Sequence, residues 1–146
     1  MVDKFRRRAR FKGPVTMDAA SNLRGNVQIY LTEATVTLTP DQSGRVCKAT
    51  RASATQVFTL PAATEEGCVF TFKNGHASGE ILIDPAGTDT IQVKATNDAG
   101  AEVTPAGGTG IKNTAATDVV GDYITLIADG VSQWNAIAQS GIWATQ

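Results

Sequence analysis

The side chains able to do covalent or acid–base chemistry are few in this chain and poorly grouped. There is one histidine, His76, in the turn-like run Asn74-Gly75-His76-Ala77-Ser78-Gly79. Acyl transfer needs a nucleophile, a base and a group that orients the base, and no Gly-x-Ser-x-Gly elbow surrounds any serine. A lone histidine beside glycine reads instead as an exposed turn residue. Glu65 and Glu66 are adjacent, and paired carboxylates serve acid–base catalysis or calcium binding. Neighbours in a loop diverge, so the pair reads as a solvated acidic tip. Asp84, Asp89 and Asp98 are scattered through turns without an Asp-x-Asp-x-Asp-Gly loop. The run Gly107-Gly108-Thr109-Gly110 lacks the Lys-Ser/Thr of a phosphate-binding loop and reads as a linker. Cys47 and Cys68 lie in separate strand-like segments. A bond between them is geometrically open, and the simpler reading is two small, buried, reduced thiols. A single histidine and the absence of Cys-x-x-Cys argue against zinc. The expectation is a protein with no catalytic residue, no metal and no cofactor, hence not an enzyme.

Charge is the stronger signal. Residues 1–13 hold six of the thirteen Lys and Arg: Lys4, Arg6, Arg7, Arg8, Arg10 and Lys12. Beyond Gly13, seven basic residues face thirteen acidic ones, a net of −6, so the chain's overall −1 hides a cationic arm on an acidic body. Such an arm cannot enter its own core without partners, because unpaired charges are costly to desolvate. Arginine outnumbers lysine in it, and Phe5 and Phe11 are interleaved. Arginine and aromatic residues are favoured as interface anchors, so docking on an acidic protein surface is preferred over a solvated tail, and nucleic acid is disfavoured as a partner. The candidate contact residues are Lys4, Phe5, Arg6, Arg7, Arg8, Arg10, Phe11 and Lys12.

The elements behind this arm read as strands. Val27, Ile29 and Leu31 alternate with Gln28 and Tyr30, and Val36 and Leu38 alternate with threonines, the period of two that marks a half-buried strand. Pro40 to Gly44 reads as a turn and residues 45–52 as a weaker strand. Residues 56–74 read as a hairpin, with Phe58 and Leu60 inward on one strand and Phe70 and Phe72 inward on the other. Residues 81–84 and 90–93 are short strands. Residues 95–118, small and glycine-rich, read as a long loop with at most one short strand. A final hairpin turns at Asp129-Gly130, with Ile124, Leu126 and Ala128 sharing one face and Trp134, Ala136 and Ala138 another. Trp134 belongs to the core; Trp143 closes the end of the fold or packs on a neighbouring subunit. No segment has a helical period, and no apolar run reaches the roughly 18–20 residues of a membrane span. The N-terminus lacks the apolar stretch of a secretory signal. These patterns predict an all-β protein, an antiparallel β-sandwich of jelly-roll type over residues 14–146, preceded by the arm at 1–13.

The runs VFTLPAATEEGCVFTFKNG, ILIDPAGTDTI and GDYITLIADGVSQWNAIAQSG resemble, in order, segments of small β-rich structural proteins of tailed bacteriophages. The resemblance covers about residues 56 to 140 and extends to capsid decoration (cement) proteins and to modules of tail fibres. It implies a structural virion protein with no enzymatic role. As a decoration protein it would be made in the bacterial cytoplasm and sit on the outer capsid surface, its arm gripping the major capsid protein and clamping neighbouring subunits. Copies of the chain would associate as a dimer or trimer, and no membrane would be involved. The alternative implied by the same resemblance is a tail-fibre or host-receptor module that binds glycan through exposed loops such as 95–118.

Overall fold

The computed structural model describes residues 27–93, 95–96, 102–103, 105–114 and 117–146. The predicted arm therefore falls outside the described residues. The strands are β1 (Val27–Tyr30), β2 (Thr35–Thr37), β3 (Arg45–Ala49), β4 (Gln56–Thr59), β5 (Val69–Asn74), β6 (Ile81–Asp84), β7 (Thr90–Gln92), β8 (Ala95–Thr96), β9 (Glu102–Val103), β10 (Ile111–Asn113), β11 (Tyr123–Ala128), β12 (Gln133–Ser140) and β13 (Ala144–Thr145). The described residues contain no α-helix, only a 3-10 turn at Pro40–Gln42. The all-β expectation therefore holds.

The expected pairing does not. Six strands form one sheet in the order β1-β3-β5-β11-β12-β7, and five form a second in the order β13-β10-β6-β4-β2. Both sheets are mixed. From β1 to β6 the chain alternates between sheets, so that β1, β3 and β5 stack in parallel in the first while β2, β4 and β6 stack in parallel in the second. Parallel neighbours need a crossover connection; here each crossover is a strand of the opposite sheet, and the result is three turns of a flattened coil. An all-antiparallel arrangement of the jelly-roll kind is thus corrected. So is the hairpin expected over 56–74: β4 and β5 lie in opposite sheets, and residues 60–68 carry the chain across rather than back. Antiparallel pairing enters only after β6, with β11 on β5, β12 on β11, and β10 on β6, while β7 lies parallel to β12 at the sheet edge.

Alternation decides which residues face inward. Phe58 and Leu60, Phe70 and Phe72, Ile81 and Ile83, and Ile124, Leu126 and Ala128 are all buried, as their period of two requires. Five rings cross the interior in a chain: Tyr30 to Phe58 at 5.5 Å, Phe58 to Phe72 at 5.2 Å, Phe72 to Phe70 at 6.5 Å and Phe70 to Trp134 at 5.8 Å. Phe58 belongs to the second sheet and touches rings of the first on both sides, so it is the pin between the layers. Trp143 is fully buried, which makes it a closing core residue.

Two phases differ from the reading of the sequence. In β1 it is Tyr30 that is buried, at 8% exposure, while Val27, Ile29 and Leu31 are 53%, 51% and 65% exposed. The parallel register sets Tyr30 beside inward-facing Ala49 and Val27 beside outward-facing Val46, so the large ring takes the core side. In β12 the register shifts opposite Thr125 and Leu126 of β11. This bulge inserts an extra residue, turns Ala138 outward, and leaves Ile137 61% exposed. The segment 95–118 holds three short strands, β8, β9 and β10, where at most one was expected.

Replacing Phe58 by Ala should cost about 3–5 kcal/mol, read as a lower denaturation midpoint with an unchanged denaturant slope. A loss below about 1 kcal/mol would show that the two sheets are not joined through this ring.

Candidate functional site

Lys4, Phe5, Arg6, Arg7, Arg8, Arg10, Phe11 and Lys12 all lie outside the described residues. What the strands do assemble are a buried polar knot, a shallow groove and two separate thiols.

The knot lies where β5, β10 and the lead-in to β11 meet. Asn74 Nδ2 donates to Asp118 Oδ2 at 2.7 Å and to Asn113 Oδ1 at 3.3 Å. Asn113 Nδ2 donates to Asp122 Oδ2 at 3.1 Å and to the Ile142 carbonyl at 3.1 Å. Asp122 Oδ2 also accepts the Val119 N–H at 2.9 Å, and Asn74 Oδ1 accepts the His76 N–H at 2.9 Å. Asn74, Asn113 and Asp122 are buried, so these bonds remove the penalty of leaving amides and a carboxylate dry and unpaired. Gly141, at φ +85°, is packed so closely that a Cβ there would run into the Asp122 carboxyl group. The knot fixes where the chain leaves β10, enters β11 and leaves β12. Its two carboxylates and two amides tie β5, β10 and the approach to β11 together. Asn113 was missed in the sequence because it sits in a segment without apolar period. Its only signal was a lone polar residue two positions after Ile111 on an inward phase.

The groove, about 390 Å³ in volume, is open and lined by Ser53, Ala54, Thr55, Ser78 and Glu80. Thr55 Oγ1 donates to Glu80 Oε1 at 3.2 Å, and Ser53 and Ser78 hydroxyls are 3.4 Å apart. His76 lies in the turn expected of it, half-buried rather than exposed. Its Nδ1 accepts the Ser78 N–H at 3.2 Å and lies 3.2 Å from the Ser78 hydroxyl. A ring nitrogen committed to its own turn is held by that turn rather than aimed at a substrate. The groove's hydroxyls and one carboxylate suit hydrogen bonding to a polyhydroxylated ligand.

Cys47 and Cys68 are both free and buried. Cys47 stands opposite Phe72 in the β3–β5 ladder, which sets it about 13 Å along the strands from Cys68. A disulfide needs Cα atoms within about 7 Å, so the two do not pair. Burial pushes the Cys47 thiol up to about 12 from 9.0, with Arg45 opposing weakly.

Set against known proteins, the chain matches no protein-family description and no curated protein. Its fold is a three-turn, two-sheet β-coil closed by an antiparallel hairpin.

The raised thiol has a consequence for stability. Between about pH 9 and 12 the unfolded chain releases a proton from Cys47 that the folded chain retains, so this contribution to stability is full below pH 9 and is lost as pH rises through that window. Cys47→Ala should flatten the loss by about 1.4 kcal/mol per pH unit over part of that range. Identical slopes for the two proteins in alkaline denaturation titrations would refute it.

Proposed function

We propose that this protein is a bacteriophage capsid decoration protein, which binds the outer shell and holds neighbouring major capsid subunits together. The observation that carries the reading is the concentration of six of thirteen cationic residues in residues 1–13, ahead of a body with a net charge of −6. The resemblance of residues 56–140 to phage structural proteins supports it. So does where the resembling segments lie. VFTLP contributes β4, the stretch around VFTFKN contributes β5, ILIDP contributes β6, and the last segment contributes β11 and β12. All are core strands of one body.

The work of such a protein is mechanical. Packed DNA presses outward and shells fail where capsomers part. A clamp across the seam adds interface that must break before the shell opens. Specific interfaces bury about 1,200–2,000 Å², and many symmetric copies acting together turn a modest affinity per copy into a large total effect. In this reading the gripping residues are Phe5, Arg6, Arg7, Arg8, Arg10 and Phe11. Arginine forks bind carboxylates of the shell in pairs of hydrogen bonds, and the two rings anchor between them. The protein has no catalytic task, and its copies act as a symmetric set on the virion surface.

A second reading, a tail-fibre or receptor-binding module, is favoured by the groove at Ser53, Thr55, Ser78 and Glu80. Its chemistry suits sugar hydroxyls.

Deleting residues 2–12 should abolish binding to empty capsid shells while leaving the folded body intact. Full affinity in the deleted protein would remove the arm from the account. On a glycan array the isolated protein should give no signal; a saturable hit, lost in Glu80→Ala, would favour the receptor-binding reading instead.

A further inference from the structure

The outward side of the first sheet is unusual for a solvated surface. The ladders align two rows across it. One runs Ile29, Lys48, Lys73, Tyr123; the next runs Val27, Val46, Thr71, Thr125. Ile29 and Val27 are 51% and 53% exposed and Tyr123 is 36% exposed. Lys48 and Lys73 stand directly opposite each other on adjacent strands, an arrangement that costs stability when uncompensated. At the opposite end of the same strands the charge reverses. Glu65 and Glu66 are exposed just before β5, and Asp129 is exposed just after β11. Glu66 and the Asp129-Gly130 turn touch, since a Cβ on Gly130 would lie 2.9 Å from Glu66 Cβ. Asp129 is held as the anion by the N–H groups of Gln133, Val131 and Ser132. This face therefore has a basic end, an apolar and threonine-lined middle, and an acidic end.

We infer that this face is a two-fold interface with a second copy of the chain. A two-fold axis lying between two such faces, across the strands near the middle of β5, reverses strand direction in the partner. It sets Lys48 and Lys73 of each copy against the acidic end of the other. That is the self-complementarity an isologous contact requires, and it brings negative charge to the two aligned lysines. Six strands about 4.8 Å apart and about five residues long give a plan area near 480 Å² a side, so the pair reaches about 1,000 Å², below the usual range of about 1,200–2,000 Å² and near the least that a biological contact buries. The inference uses no component of a capsid and stands or falls apart from the decoration reading.

Analytical ultracentrifugation of the full-length protein tests it. The wild type should sediment as a dimer. Lys48→Glu with Lys73→Glu should weaken dimerisation by about tenfold or more, as should Glu65→Lys with Glu66→Lys. Combining all four substitutions should restore the dimer, an outcome that misfolding cannot produce. A wild-type monomer, an assembly insensitive to either charge reversal, or a four-fold variant no better than its parents would each overturn the proposal.

Discussion

Everything in this fold depends on joining two sheets that share no backbone ladder. Backbone ladders hold each layer, but only side chains hold one layer to the other, and Phe58 is the most central of these. Its ring sits between Tyr30 and Phe72, both from the opposite sheet. Aromatic contacts of this kind add about 0.5–1.5 kcal/mol beyond the area they bury. Because the chain passes from sheet to sheet at each crossover of the coil, every connection also constrains the spacing of the layers. Core and connectivity are therefore one constraint. A ring lost from the interior loosens all three turns of the coil, not one strand.

How far the sequence spoke for this arrangement follows from what alternation can encode. A period of two says which side chains share a face; it does not say which strand lies alongside or in which direction it runs. Phe58, Leu60, Phe70, Phe72, Ile124 and Leu126 were therefore legible as inward residues, and Asp129-Gly130 as a turn. The partners of β4 and β5 were not, because Thr64 to Gly67 reads equally well as the tip of a hairpin or as the outer part of a crossing loop. Where apolar residues occupy both phases, as in the run from Val27 to Leu31, even the face was ambiguous and the larger ring decided it. The bulge in β12 had no local marker, so Ala138 was assigned to the wrong side. Asn113 shows the remaining gap. Its importance comes from Asn74, Asp122 and the Ile142 carbonyl converging on it, a property of topology that no window of sequence contains.

The buried knot and the aromatic chain divide the labour of specifying the fold. Aromatic packing tolerates small shifts in register, since dispersion and burial are not directional. A chain of hydrogen bonds from Asp118 through Asn74 and Asn113 to Asp122 is not tolerant, because a displaced amide would be left dry and unpaired. Placing the knot at the junction of β5, β10 and β11 locks the antiparallel half of the protein onto the parallel coil in one register. Gly141 reinforces this, as its backbone lies against the Asp122 carboxylate in space that a side chain would need.

The electrical polarity of the first sheet's outer face has an origin in turn chemistry. Asp129 sits where it does because its carboxylate closes a turn by accepting three consecutive N–H groups, a role that Asp fills better than an apolar residue. Glu65 and Glu66 lie in the crossing loop that the coil needs to bring the chain from β4 to β5. Parallel stacking of β3 on β5 then aligns Lys48 with Lys73 at the far end. Register thus converts scattered charges into a field with direction. Neither the composition nor the net charge of the body implies such a field. The same net of −6 spread evenly would repel every copy of the chain from every other, whereas charge sorted to the two ends of one face gives a second copy a favoured orientation.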